Sequence, residues 1–233
     1  GNIIFKDDDA RIEGRGSSSW GLEKKPYSLT LSSENSLLNM SPSTDWILLA
    51  NAKDETNLRN KIIYDLTRSL PYNWAPQCQY VDVYLNGSYN GLYLLAEKIQ
   101  VSDNHLNIDT LHGDFLCKVD LPDREDSMRN PFQSTHGRII EITSPKTSVS
   151  NDISRIHSLV NEMEESILFT PSDTWPDNLD LDSFVAKYLV DEISANGDAD
   201  LASSYFYYEI GTFYGGPIWD YDSTFGNSVR NQN

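Results

Sequence analysis

The sequence predicts an α+β chain arranged in two lobes, the first rich in strands and the second shorter and more helical. Three observations support this prediction. Alternating apolar residues recur through the first hundred residues, one helical pattern interrupts them, and two longer helical patterns follow. We place the boundary near 97–104, so that residues 1–100 and 101–233 are two lobes of one structural domain. The second lobe is expected to be minimal or cut short at its end.

The strands of the first lobe are predicted from period-two alternation. Residues 27–31 alternate, with Tyr27, Leu29 and Leu31 on one side, and residues 45–51 form a short apolar strand. Residues 80–99 are typical of a hairpin, because two alternating runs flank Asn-Gly pairs that favour positive φ.

Three helices are predicted from apolar residues that recur at helical spacing. The first covers 54–70, the second 151–168 and the third 179–194. The residues expected to face the core are Leu58, Ile62, Leu66 and Leu70 in the first, Ile153, Ile156, Val160, Met163 and Ile167 in the second, and Phe184, Tyr188 and Leu189 in the third.

The remaining strands are predicted in the second half. Two apolar runs, "GDFLCKVDL" and "GRIIEIT", are separated by a charged loop at 122–136. Near the end of the chain, "YFYYEI" and "PIWDYD" are expected to pair as a hairpin joined by "GTFYGG".

Composition limits the function classes. The 233 residues carry a formal net charge of −17, and such a surface repels nucleic acid. No apolar run approaches the roughly 20 residues of a membrane span. Cys78 and Cys117 are equally consistent with a disulfide and with free thiols.

Four aspartates bracket the last two predicted strands. If these strands pair, the loop before the first and the end of the second meet, which brings Asp198 close to Asp220. Clustered carboxylates repel one another unless a cation joins them, and hard Mg²⁺ or Mn²⁺ ions suit such oxygens. The simpler alternative is that they are loop acids, which favour turns. The four are Asp198, Asp200, Asp220 and Asp222, with the hydroxyl of Ser203 as a further ligand.

A glycine-rich segment near the start of the chain could hold an anion. Gly-x-Gly followed by serines lets backbone N–H groups approach a phosphate, although a plain hairpin turn also explains it. Two lysines follow and could supply fixed positive charge. The segment is Gly14, Arg15, Gly16, Ser17 and Ser18, and the lysines are Lys24 and Lys25.

Several stretches in this order resemble the CotH kinase family, whose name comes from a spore-coat protein. They are "GRGSSSW", "KKPYSLTL", "LLAN", "LRNKIIYDL", "VDVYLNGSYNGLYLLAEKI", "NGDADLASSYFYY" and "GPIWDYDSTFGN". The resemblance runs from about Arg11 to Asn227. It implies a divergent, two-lobed protein kinase-like fold and an atypical, metal-dependent protein kinase. Such an enzyme transfers the γ-phosphoryl group of ATP to serine or threonine hydroxyls of a surface or coat protein outside the cytoplasm.

The resemblance also implies roles for individual residues. The segment from Gly14 to Ser18 would cover the phosphates of ATP, and Lys25 or its neighbour Lys24 would contact phosphate from a strand. Glu97 would lead into the hinge where adenine is bound. Asp198 would orient the attacking hydroxyl. The metal ligands would be Asp220, Asp222 and Ser203.

Two departures from the family pattern leave an alternative open. Ser203 stands where family members often carry an asparagine metal ligand, and the sequence ends soon after the metal motif. Both departures are consistent with a catalytically degenerate kinase-like module of a surface or coat assembly. A third hypothesis, a glycan-associated surface protein, rests on the five tryptophans and thirteen tyrosines.

Overall fold

The fold comes from a computed structural model. Within its described residues the chain forms two antiparallel sheets of five strands each and three α-helices. This mixed architecture confirms the α+β class. The described residues are Ile3, 5–16, 19–70, 74–146, 150–171, 175–199 and 201–227.

The first sheet comes from the first hundred residues. Its strands are β1 (Arg11–Gly14), β2 (Tyr27–Asn35), β3 (Ser43–Leu49), β4 (Cys78–Leu85) and β5 (Ser88–Glu97). They lie in the order β1-β2-β3-β5-β4, and every neighbouring pair is antiparallel. A helix, α1 (Arg59–Arg68), follows the third strand in the chain.

The predicted hairpin and the predicted alternation are both confirmed. The chain turns between β4 and β5 at Asn86 and Gly87, whose φ angles of 51° and 80° suit these residue types. In β2, Leu31 is buried, and Tyr27 and Leu29 pack against the same core cluster.

The helix α1 buries a different face from the one that its leucines predict. Leu58, Ile62 and Leu66 were expected to face the core, but each is between 39% and 48% exposed. Ile63 and Tyr64 are fully buried instead, in a cluster shared with β5 and with the last part of the chain. Apolar spacing therefore predicted the helix correctly and its orientation wrongly.

The second sheet comes from the rest of the chain. Its strands are β6 (Phe115–Asp120), β7 (Pro131–Gln133), β8 (Ile139–Ser144), β9 (Ser204–Glu209) and β10 (Thr212–Gly215). They lie in the order β10-β9-β6-β8-β7. The three-residue β7 lies inside the charged stretch that was predicted as a loop, because so short a strand leaves no alternation to detect.

The helix α2 (Ser150–Phe169) covers the second sheet. Ile156, Val160 and Met163 are buried as predicted, whereas Ile167, in the last turn, is 47% exposed. Across the described residues, no helix has the length and apolar character that crossing a membrane requires.

The helix α3 (Leu181–Ser194) packs against β10. Phe184 contacts the core as expected, but Tyr188 and Leu189 are exposed and the predicted stripe is wrong at both positions. The inward face instead carries the small Ala186, and a Cβ added to Gly215 of β10 would lie only 3.3 Å from the Phe184 Cα. This close approach favours small side chains on the buried face.

Both cysteines are buried free thiols, which answers the question that the sequence left open. Cys78 and Cys117 lie in different core clusters. Burial raises the pKa of Cys78 to about 12, so this thiol stays protonated at neutral pH.

The segment at 216–227 is not the strand that its alternating aromatic residues predict. β9 pairs with β10 through a turn at Ile210 and Gly211, so the predicted connecting turn is itself a strand. After β10, Gly216 has a φ of 106°, and Pro217 has no N–H for a ladder. Asp220 has a φ of 69°, which ends the alternation on which the predicted shared face of the aspartates depended.

Candidate functional site

Residues of both sheets line a cavity of about 750 Å³. The first sheet contributes Leu49 at the end of β3, and the second contributes Lys118 of β6 and Tyr205 of β9. The loop after α3 and the segment at 216–227 complete the wall. A cavity of this volume falls in the range of small-molecule and cofactor sites.

Three of the aspartates predicted to act together do line this cavity. They are Asp198, Asp220 and Asp222. Burial, together with the charges of Asp220 and Asp198, raises the pKa of Asp222 to about 6, while Ser223 and Lys53 oppose the shift. The carboxylates are therefore close enough to repel one another. Asp200 lies outside the described residues.

Ser203 lies beside Asp220, the residue with which the resemblance grouped it as a metal ligand. Its hydroxyl donates a hydrogen bond to the Asp220 Oδ2 at 3.1 Å. Both residues have left-handed backbone, with φ angles of 52° and 69°. Such conformations cost free energy for residues other than glycine and cluster at functional sites.

The helix α1 holds the segment that carries Asp220 and Asp222. The backbone N–H of Tyr221 donates to the Asn60 Oδ1 at 2.8 Å, and the Arg59 Nε donates to the carbonyl of Thr224 at 2.9 Å. The Trp219 ring stacks on Tyr64, with centroids 5.8 Å apart. The segment is therefore fixed by packing and side-chain bonds rather than by strand pairing.

The glycine-rich segment reaches the cavity only in part. Arg15 and Gly16 line it, and Gly16 has a φ of 88°. Gly14 lies under Trp20, where an added Cβ would lie 2.3 Å from the ring. The two serines predicted to cover phosphate, Ser17 and Ser18, lie outside the described residues.

Arg15 brings positive charge to the acidic side of the cavity. Its guanidinium carbon lies 5.6 Å from the centre of the Trp219 ring. Burial lowers the pKa of Arg15 and the charge of Asp220 opposes this shift, so the two groups are near neighbours. Arginine remains charged under all ordinary conditions.

Lys24 and Lys25 were predicted to contact phosphate from a strand, and the structure places them elsewhere. Both precede β2 rather than lying on it, and neither is among the residues that line the cavity. Lys24 donates to the carbonyl of Leu92, with its ammonium 4.5 Å from the centre of the Tyr93 ring. Lys25 donates to the carbonyl of Trp20 at 2.5 Å.

Glu97 also lies apart from the cavity lining. It is the last residue of β5 and is fully buried. Its carboxylate accepts the backbone N–H groups of Ser41 at 3.0 Å and Gln77 at 2.8 Å. These bonds satisfy both oxygens, so Glu97 ties neighbouring segments to the end of the strand.

An ion-pair network on β6 and β8 lines the cavity and was missed. The Lys118 ammonium lies 2.8 Å from Glu141 and 3.0 Å from Asp120, which also pairs with Arg124 at 2.7 Å. Burial alone would lower the pKa of Lys118, but Tyr205, Glu141 and Asp120 outweigh it and raise the pKa. The sequence signal for this network was a pair of charged residues at alternate positions of the apolar run "FLCKVD".

Asn51 is a second residue that the sequence did not single out. It lines the cavity with a φ of 49° and is only 8% exposed. Neither polar atom of its buried side chain has a hydrogen-bond partner among the described residues. A buried amide without partners costs about 1–3 kcal/mol, which a polar ligand can recover.

The acidic residues fit a metal ion only if its other ligands come from a bound molecule. Among the described residues, no group of three or more His, Cys, Asp or Glu side chains could hold a metal on its own. Mg²⁺ is commonly bound by one or two carboxylates together with substrate phosphates. Asp220 and Asp222, whose charges interact, match that smaller donor set.

Comparison with known protein families identifies the family of the chain. The profile described as CotH kinase protein matches residues 12–233, nearly the whole chain. A search of curated proteins finds no match. The matched range contains every described residue of the cavity wall and, except for Arg11 of β1, both sheets. The chain therefore belongs to the CotH kinase protein family.

Proposed function

We propose that the protein transfers the γ-phosphoryl group of ATP to serine or threonine hydroxyls of a protein, with Mg²⁺ or Mn²⁺ bound in the cavity. One observation carries this proposal. In a chain of the CotH kinase family, Asp198, Asp220 and Asp222 line one cavity together with the cation of Arg15. By family likeness, the substrate is a surface or coat protein outside the cytoplasm.

The arrangement of the cavity supports a kinase-like, two-lobed reading with residues 1–100 and 101–233 as lobes. Residues of both sheets line the cavity, so a ligand there would contact both proposed lobes. A glycine-rich turn, a helix after the third strand and a late acidic motif follow one another as in protein kinases.

In this proposal the residues of the chain divide the work of phosphoryl transfer. Asp220 and Asp222 would hold the metal ion, which neutralises phosphate charge, with the Ser203 hydroxyl beside them. Arg15 and Lys53, both on the cavity wall, would contribute positive charge near the phosphates.

Asp198 would accept the proton of the attacking hydroxyl. A new bond forms between that hydroxyl oxygen and the γ-phosphorus, and the bond from phosphorus to the bridging oxygen of ADP breaks. The electron pair leaves with ADP. Alignment of the reacting groups would supply most of the rate acceleration.

Purified protein with ATP and Mn²⁺ tests this proposal. We expect a nucleotide-dependent rise in unfolding temperature and transfer of labelled phosphate to the protein itself or to a generic protein substrate. Asp198→Asn should keep nucleotide binding and lower transfer by about 100-fold or more. Absence of both the thermal shift and the transfer from wild-type protein would refute the proposal.

Ser203 favours a second candidate, a catalytically degenerate module of a surface or coat assembly. Its hydroxyl is bonded to Asp220 and stands where the family often carries an amide ligand. This candidate predicts nucleotide binding without transfer. Turnover that appears only in Ser203→Asn, which restores the amide, would identify it.

The third hypothesis, a glycan platform, receives no comparable support. Trp46 is fully buried, and Trp219 stacks on Tyr64. The partly exposed Trp20 and Trp175 each pack against another ring. These contacts explain these four tryptophans as packing residues.

A further inference from the structure

One buried carboxylate outside the cavity lining, that of Asp191, contacts both acidic elements of the site. It lies in the last part of α3 and is 7% exposed. Its Oδ1 accepts hydrogen bonds from the Tyr221 hydroxyl at 2.6 Å and from the Asn196 Nδ2 at 2.8 Å. Its Oδ2 accepts from the Lys187 ammonium at 2.7 Å.

The two partners of the Oδ1 belong to the two chain segments that carry the aspartates of the cavity wall. Tyr221 lies between the proposed metal ligands Asp220 and Asp222 in the chain. Asn196 lies in the loop after α3, and its side-chain oxygen accepts the backbone N–H of Asp198 at 3.1 Å. One oxygen atom therefore connects the proposed catalytic aspartate to the proposed metal-binding segment.

Burial and charge keep the connection in place. The buried Tyr221 hydroxyl donates to the Asp191 carboxylate at 2.6 Å. Lys187 balances the charge of the carboxylate. Buried, charge-assisted hydrogen bonds of this kind are stronger than neutral ones and restrict geometry.

The end of α3 makes a further contact with the metal-binding segment. The carbonyl of Ser194 accepts the backbone N–H of Phe225 at 2.6 Å. The backbone N–H of Asn196 also donates to the carbonyl of Asp191 at 2.9 Å. The helix end is thus a common support for both elements.

We propose that Asp191 is a positioning residue that sets the spacing between Asp198 and the Asp220–Asp222 pair. The role assigned to that spacing rests on the proposed function. A purely stabilising carboxylate would affect the free energy of unfolding alone. A positioning carboxylate also couples the two acidic elements, so that removing its hydrogen bond to one element makes the other element less ordered.

Tyr221→Phe is the sharpest test, because it removes one oxygen and leaves the buried ring in place. We expect binding of Mn²⁺ with a non-hydrolysable ATP analogue to weaken by at least about tenfold. Tyr80→Phe is the matched control, since its hydroxyl also donates one hydrogen bond, to the Asn57 carbonyl at 2.5 Å. It should lower stability comparably and leave binding unchanged.

Hydrogen exchange separates this proposal from the proposed function, because it needs no ligand. Tyr221→Phe should speed amide exchange at 196–199 as well as at 218–225, and Tyr80→Phe should not. Unchanged exchange at 196–199, or the same increase in Tyr80→Phe, would overturn the proposal. If wild-type protein binds no nucleotide, the function fails and exchange alone still decides the role of Asp191.

A second pair of variants tests the same oxygen. Asp191→Asn keeps an oxygen that can accept from Tyr221 and Asn196, and Asp191→Ala removes it. Asp191→Asn should therefore retain slower exchange at 196–199 than Asp191→Ala. Equal exchange in the two variants would assign the role to the charge and refute positioning through the Oδ1.

Discussion

The cavity has an acidic wall, formed by Asp198 and the segment at 216–227, and a glycine-rich wall, formed by the segment that carries Arg15 and Gly16. The two walls differ in how firmly the rest of the molecule holds them. On the acidic wall, Tyr221 and Thr224 are buried, and bonds from α1 and α3 fix the backbone around them. On the glycine-rich wall, all four residues of β1 are exposed, as is Gly16. Trp20, which covers Gly14, is 44% exposed.

This difference indicates how the site could work. The acidic wall is organised before any ligand arrives, which would reduce the reorganisation needed during the proposed phosphoryl transfer. The glycine-rich wall has few buried contacts, and segments of that kind belong to the less stable parts of a fold. Changes on the acidic wall should therefore have the larger effects on binding.

The largest expected effect comes from removing the exposed carboxylate of the acidic wall. Asp220→Ala should weaken Mn²⁺-dependent nucleotide binding by about 100-fold or more, because metal sites lose up to that factor even when only supporting residues change. Calorimetric titration measures the effect. Unchanged affinity would mean that the metal site lies elsewhere.

Asp222 should limit stability in the absence of a cation. Its pKa is raised from 3.8 to about 6 on folding, so the folded state binds the proton more tightly and loses stability as pH rises between these values. Asp222→Asn should therefore increase the free energy of unfolding at pH 7 by up to about 2 kcal/mol. Little gain should remain at pH 4.

Urea denaturation at the two pH values measures this difference. Asp103→Asn, at an exposed position, is the matched control and should behave like wild-type protein throughout. A gain for Asp222→Asn that is equal at both pH values would contradict the proposed charge repulsion.

A smaller effect on nucleotide binding should distinguish Arg15 from the two lysines, Lys24 and Lys25. Arg15→Ala should weaken nucleotide binding by about tenfold, the value of one charge-assisted hydrogen bond. Lys24→Ala and Lys25→Ala should change it by at most about threefold, because their ammonium groups are bound to carbonyls outside the cavity. The reverse order would restore the lysine assignment made from the sequence.

The smallest effect should come from Asn51→Ala. Removing the unpartnered amide favours the fold, whereas alanine at a φ of 49° costs about 1 kcal/mol, so the unfolding temperature should change little. Nucleotide affinity should nevertheless fall by about threefold, the loss of one neutral hydrogen bond. Unchanged affinity would mean that Asn51 serves the backbone conformation at this position and not the ligand.

Local pattern was sufficient for most of the longer strands and for the presence of the helices, but not for the short β7 and β10 or for the segment at 216–227. The β4–β5 hairpin follows from alternation and from the Asn86-Gly87 turn, and both are properties of short stretches of chain. The face of α1 was not predictable in this way. Apolar residues repeat every four positions on its outer side, at Leu58, Ile62 and Leu66, while the ring of Tyr64 fills the core on the other.

The candidate site also has some features that the sequence predicted and others that it did not. Asp198, Asp220 and Asp222 were predicted to meet and do line one cavity, although the assumed strand pairing is wrong. The bonds that hold them, from Asn60 and Asp191, join residues far apart in the chain, and no local pattern reports such contacts. Lys24 and Lys25 do not line this cavity, because motif position does not specify which way a side chain points.

Trp219 stacks on Tyr64, and the guanidinium carbon of Arg15 lies 5.6 Å from the centre of the Trp219 ring. This arrangement gives the protein an optical sensor of its own. Indole emission responds to nearby charge, and Trp219 lies on the cavity wall. A ligand that draws the guanidinium towards its phosphates would change that emission without any added label. Trp46, fully buried in the core, would supply a constant background against which occupancy of the cavity could be followed in real time.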